Sequence, residues 1–301
     1  MNFTISHEYE VDYYIYSILA LPNESMIAFC SSKNTSKKYL FILFHEGETE
    51  EFIFDLQNIN LQVSLLKPAL FKRNKGFGCV FYNMLVTCDL ETKSFNYFPI
   101  KNIHTNFKNN GTIEPIKAVE GMNSDEVIIL LNDEFNKPNG RYISKIKLKK
   151  SRAAYSKLLF NVPNEKSKVE ICDITFLDQK IVFHTIGGIC NYSRYGMDYS
   201  KIGTLDTTGL IFTKNKLEFI KEVSEGFGYF SSDLKSLLIL SLRNPKKIEF
   251  FTLSAEKEAE LKLTPKVLGK IDKKTRLIDK YNNRIWLGND TGEVTELNLV
   301  E

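Results

Sequence analysis

Nothing in this chain is long, apolar and uninterrupted. The longest hydrophobic runs, such as Val127-Ile128-Ile129-Leu130-Leu131, are strand-sized, whereas a helix that crosses a membrane needs about 20 consecutive apolar residues. No helical membrane span is therefore expected. Cysteine is also scarce. Cys30, Cys79, Cys88, Cys172 and Cys190 are scattered and never closer than nine positions, which excludes a disulfide framework and a CxxC zinc site. Four of the thiols read as reduced core fillers, with Cys190 in a loop. Charge of one sign is missing too: 40 basic against 37 acidic residues leave +3, too little to make nucleic acid or an acidic membrane the main partner. The N-terminal residues hold no basic stretch followed by an apolar run, so no leader is visible and a cytoplasmic protein is expected.

Catalytic signatures are absent as well. No Gly-x-Ser-x-Gly elbow, P-loop, dinucleotide fingerprint or His-Glu-x-x-His helix occurs, so no cofactor and no metal are expected. The four histidines (His7, His45, His104, His184) are isolated from one another and form no metal pair. Several Asn-x-Ser/Thr triplets, including those at Asn23, Asn191 and Asn289, read as chance in an Asn-rich chain.

What is present is strand punctuation. With 43% hydrophobic and 26% charged residues the composition is that of a globular protein. Most apolar stretches are five to eight residues long, rich in Ile, Val, Phe and Tyr, and bounded by Asn, Asp, Gly, Pro or Lys. Helical periodicity is nearly missing; Ser254 to Leu261 is the one segment that reads as two short turns, too short to be stable alone.

The strands repeat. Gly76-Phe77-Gly78 and the stretches that follow it match Gly226-Phe227-Gly228 and its sequel, 150 residues further on. Very apolar strands begin near Met26, Met84, Val127, Ile181, Leu237 and Ile285, which defines six units of about 50 residues. Asn289-Asp290-Thr291-Gly292 and Asp89-Leu90-Glu91-Thr92-Lys93 read as hairpin turns. Repeats of this length resemble the four-stranded blades of a β-propeller, in the architecture of WD40 proteins but without their Gly-His and Trp-Asp signatures: the single tryptophan, Trp286, is followed by Leu287. The resemblance implies an all-β, six-bladed propeller of four-stranded antiparallel blades over residues 1–301 as one domain. The last unit lacks a fourth strand, and Phe3 to Glu8 is a strand without a unit; pairing the two would close the ring and cover an exposed edge. The alternatives are a β-sandwich or two β domains.

Function has no motif to stand on. In propellers, the loops between second and third strands share a face that binds partners. Here two adjacent units carry the longest such loops. One holds Asp133, Phe135 and Arg141; the other holds Tyr192, Arg194, Tyr195, Met197 and Tyr199, side chains enriched at interfaces. The expectation is a non-catalytic module, a scaffold or a neutraliser of a partner, that binds another protein through these residues. The alternative is a hydrolase or lyase acting on a carbohydrate or small ligand in the central channel, with Asp173 and His184 as the candidate groups; Asp279 is the other acid placed in a first strand, where a structural role is expected. The alternating Lys145, Lys147 and Lys149 read as one side of a half-exposed strand rather than a nucleic-acid strip.

Overall fold

The structure, a computed structural model, describes residues 2–33, 39–53, 67–81, 83–101, 113–133, 140–149, 153–162, 169–177, 180–187, 199–206, 218–223, 227–241, 247–252, 257–262 and 277–300. All the regular elements among them are β-strands. After β1 (Asn2–Glu10) the chain makes a first unit from β2 (Tyr13–Ala20), β3 (Met26–Ser32), β4 (Tyr39–His45) and β5 (Glu48–Ile53). The second has β6 (Ala69–Arg73), β7 (Gly76–Phe81), β8 (Met84–Asp89) and β9 (Ser94–Lys101); the third has β10 (Ile113–Glu120), β11 (Glu126–Asp133), β12 (Gly140–Lys149) and β13 (Ala153–Val162). The fourth comprises β14 (Val169–Leu177), β15 (Lys180–Gly187), β16 (Tyr199–Asp206) and β17 (Glu218–Val223), and the fifth β18 (Phe227–Phe230), β19 (Ser236–Ser241), β20 (Lys247–Thr252) and β21 (Lys257–Lys262). The sixth has only β22 (Leu277–Tyr281), β23 (Arg284–Gly288) and β24 (Glu293–Val300).

Each unit is an antiparallel meander, and the reason these segments are strands lies between the units. One apolar cluster joins Phe29 and Phe41 of the first unit to Phe77 and Phe81 of the second. A second joins Phe71 and Val80 to Val127 and Ile129 of the third. Others pack the third unit on the fourth, the fifth on the sixth, and the sixth on the first through Trp286, Met26 and Phe44. Second strands are therefore covered on both faces: β3 is buried over six consecutive residues. Outer strands face water on one side, so β5 is exposed at every position except Phe52. The continuous apolar second strands and polar last strands of the sequence are the trace of this face-to-face packing.

The first strands touch in a closed circuit, β2 to β6, β10, β14, β18, β22 and back to β2. This is a β-propeller, and the sandwich alternative falls away. Ring closure follows expectation: β1 lies antiparallel on β24, from Asn2 opposite Val300 to Glu10 opposite Glu293, and supplies the outer strand of the sixth unit.

Three expectations need correction. Six separate four-stranded blades were expected, but hydrogen bonding makes five sheets: β13 pairs in parallel with β9 at Ala154–Ile100 and Tyr155–Lys101, fusing two four-stranded meanders into one eight-stranded blade. Two adjacent outer strands each present unpaired backbone groups, and here they satisfy one another. The 150-residue match is out of phase by one strand, because Gly76 opens the second strand of its unit whereas Phe227 opens the first of its own. Both segments put a glycine against a bulky ring, Gly78 at Phe71 and Gly228 at His184, although the strands they belong to are not equivalent. The helix reading of Ser254 to Leu261 also fails, since β21 runs over most of it and pairs with β20; sheet pairing outweighs the weak helical preference of Ala, Glu and Lys.

The hairpin readings hold. Asn289 Oδ1 accepts the amides of Thr291 and Glu293 at 3.0 and 3.1 Å, and Gly292 takes φ +97°. Asp89 Oδ1 accepts those of Glu91 and Thr92 at 3.0 and 2.9 Å. The lysine strip is the predicted half-exposed strand, β12, in which Lys145 and Lys147 reach back to Glu126 at 3.2 and 3.6 Å.

Candidate active site

The inner strands carry polar residues where a packed ring should have none. In β10 the pairing with β11 shifts between Pro115 and Lys117, and in β14 the pairing with β15 shifts between Ile171 and Asp173. A bulge bends its strand and re-aims the side chain beside it, and Pro115 has no N–H to give the ladder. Lys117 and Asp173 thus hold equivalent positions in neighbouring units.

They meet at the axis. Lys117 Nζ lies 3.7 Å from Asp173 Oδ2 and donates to the carbonyl of Phe230 at 3.3 Å. Asp173 also accepts the amides of Phe230 at 2.6 Å and Ile174 at 2.9 Å. Asp279, on β22, accepts from Ser232 N at 3.0 Å, Ser232 Oγ at 2.5 Å, Ala20 N at 2.8 Å and Lys280 N at 2.7 Å. Five of the six units are tied together by these three side chains. Burial pushes both carboxyls above the ordinary aspartate value, and Lys117 pulls each back part of the way. With four donors on its two oxygens, Asp279 is a clamp between units and has little left for a ligand.

At the end of the inner strands that leads into the first-to-second hairpins, a cavity of about 170 Å³ opens. Its walls come from β2, β6, β10, β14 and β18, with the apolar side chains of Leu70, Phe71, Val119, Phe176 and Phe230 prominent. Lys117 and Glu120, both from β10, also line it. Burial raises the Glu120 carboxyl, opposed by the nearby Arg73 and Lys72 charges. A carboxyl raised above its ordinary value and a cation thus line one small, mostly apolar space, a combination suited to taking a proton while a negative charge develops beside it.

Of the residues singled out in the sequence, Asp173 and Asp279 converge on the axis as their places in inner strands implied. His184 does not. Its ring is buried between β15 and β18, against Gly228, where an added Cβ would fall 2.4 Å from Nδ1; burial lowers its pKa to about 3. His7 and His45 sit beside Glu296 and Glu46 at the rim, and His104 lies outside the described residues. Phe135, Tyr192, Arg194, Tyr195 and Met197 of the expected partner loops also lie outside them, while Asp133, Arg141 and Tyr199 are described only as strand-end backbone of β11, β12 and β16. Cys30, Cys79 and Cys88 are buried free thiols, as expected of core fillers. Among the described residues no group of three or more His, Cys, Asp or Glu side chains is placed to hold a metal. Lys117 and Glu120 were missed by sequence reasoning. The signal was Pro115 in an otherwise strand-like run, followed by Ile-Lys-Ala-Val-Glu.

The fold and the axial cavity define a propeller with a polar centre. No family model matches the chain, and neither does any curated protein sequence. Two solved structures of virginiamycin B lyase from Staphylococcus aureus do share the fold. A catalytically inactive variant with quinupristin has a TM-score of 0.53 at 14% identity, and the selenomethionine-substituted protein has 0.52 at 13%; each comparison covers 99% of this chain and 100% of the other. At such identity the fold is what is shared. These neighbours nevertheless correct the expectation of a non-catalytic interaction module: the ring that this chain matches from end to end is that of an enzyme. The missing motifs do not by themselves argue against a site at the centre of such a ring. In a ring the centre can be built from several inner strands, so no recognised contiguous signature is needed for a site there.

Proposed function

We propose that this chain is a lyase acting on a small organic ligand whose reacting end enters the axial cavity. The observation that carries the reading is the pairing of Glu120 and Lys117 on the walls of one mostly apolar cavity; the whole-length fold likeness to a lyase supports it. In an elimination, the Glu120 carboxylate takes a proton from the carbon next to a carbonyl. That C–H pair becomes the new double bond, and the leaving group departs with the electrons of its own bond and picks up a proton. Lys117 holds the carbonyl oxygen on which negative charge builds. The raised carboxyl value of Glu120 suits it to the proton transfer.

The test is incubation of the purified chain with quinupristin and with uronic-acid-containing oligosaccharides, followed by product mass. A lyase leaves the summed mass unchanged, whereas a hydrolase adds one water. Glu120→Gln and Lys117→Met should each lower turnover by about 10²-fold or more. Turnover of neither probe, a product carrying added water, or turnover indifferent to both substitutions would overturn the proposal.

A further inference from the structure

One positive charge at the axial cavity is left over. Lys72, Lys117 and Glu120 are the titratable groups that line it, and each is partly exposed. Lys117 is met by Asp173 at 3.7 Å. Asp279, which does not line the cavity, has its two oxygens on four donors. Glu120 feels two cations, Arg73 and Lys72, and Arg73 is anchored on the carbonyl of Ser124 at 2.7 Å. Among the described residues Lys72 has neither a carboxylate within 4.0 Å nor a hydrogen bond; its ammonium lies over the ring of Tyr281, 5.3 Å from the centroid. Lys72 belongs to β6 of the second unit and Tyr281 ends β22 of the sixth, so the side chain reaches past the first unit to find its ring. An aromatic face positions an ammonium without neutralising it, which leaves the three donors of Lys72 for another partner. A cation fixed at the wall of a mostly apolar space, where water screens it little, attracts an anion.

We propose that Lys72 determines the specificity of this cavity by seating a carboxylate of the ligand, which leaves Lys117 for the reacting carbonyl. The inference rests on the reading of this cavity as the substrate site and names the substrate class: an organic acid rather than a neutral molecule or an amine.

Titration of the full chain by calorimetry at low ionic strength with two matched pairs tests it, glucuronate against glucuronamide and phenylacetate against phenylacetamide. Each pair keeps one shape and changes the charge, and comparing the pairs separates a sugar acid from an apolar one. In at least one pair the acid should bind about tenfold more tightly than its amide, the worth of one charge-assisted hydrogen bond. Lys72→Met should bring that acid down to the affinity of its amide, and Lys72→Arg, which keeps the cation, should retain the preference. Added salt should shrink the preference of the native chain, a readout that needs no variant. Equal binding of acid and amide in both pairs, no binding of any of the four, or an acid preference that survives Lys72→Met or salt would overturn the inference. Binding needs no turnover. An acid preference that depends on Lys72 without lyase activity would sink the proposed function alone, and turnover indifferent to Lys72→Met would sink the role of Lys72 alone.

Discussion

His7 on the first strand of the chain and Glu296 on the last lie 2.8 Å apart, Nδ1 to Oε2, although 289 residues separate them. Tyr9 donates to the same oxygen at 3.3 Å, and Arg284 of β23 binds the other. Glu296 is 1% exposed, so the strand that closes the ring is fastened by a buried carboxylate. Burial pushes the Tyr9 hydroxyl up to about 12, which keeps it a donor throughout the neutral range.

Glu296→Ala should therefore cost about 3–5 kcal/mol, the range for removing one partner of a buried pair. His7→Ala should cost no more than about 1 kcal/mol, because His7 is over a third exposed and solvent screens it. Urea denaturation of the two variants checks the order; equal losses would mean that the seam is not held by this carboxylate.

Removing residues 1–10 tests the closure itself. The edge of β24 would then present unpaired backbone groups, and the expected outcome is self-association visible by size-exclusion chromatography, with loss of cooperative unfolding. A truncated chain that stays monomeric and equally stable would show that β1 is dispensable.

Gly228→Ala should destabilise by about 2–4 kcal/mol, since its Cβ would sit 2.4–2.6 Å from three atoms of the His184 ring and that ring is fully buried. The partner substitution His184→Ala should relieve the clash, so the double variant is expected to be more stable than the sum of the two single losses. Additive losses in a double-mutant cycle would rule out the contact as the cause.

The pH dependence follows from the same ring. Burial lowers His184 from the ordinary histidine value of 6.5 to about 3, so as pH falls through 6.5 the unfolded chain binds the proton first and unfolding is favoured. Stability from this group is complete above about 6.5 and drains away down to about 3, by about 2 kcal/mol at pH 5. Chemical denaturation of the native chain and His184→Asn at pH 7.5 and pH 5 measures it: the native chain should lose more, and equal slopes would place the acid sensitivity elsewhere.

At the axis, Lys117→Met leaves Asp173 buried without its cation and is expected to cost about 3 kcal/mol or more, whereas Thr175→Val removes an unsatisfied hydroxyl and should raise stability by about 1 kcal/mol. Thermal unfolding of the pair checks both signs. A destabilised Thr175→Val would mean that the hydroxyl is satisfied.

The architecture was legible because packing between units writes itself into the chain: a second strand covered on both faces, such as β3, must be apolar throughout, and an outer strand such as β5 must not. Closure was legible because a strand without a unit and a unit without a strand stood at opposite ends. The rest was set in three dimensions. The fusion of β9 with β13 depends on two outer edges drawing close, which no local pattern encodes, and the phase slip at Gly76 shows that similar Gly-Phe-Gly segments serve as a second strand in one unit and a first strand in another. Asp173 was picked out in the sequence, but Lys117 and Glu120 look like ordinary strand residues there; only bulged inner strands meeting around an axis bring Lys117 of β10 to Asp173 of β14, because a ring assembles its centre from strands that lie far apart along the chain.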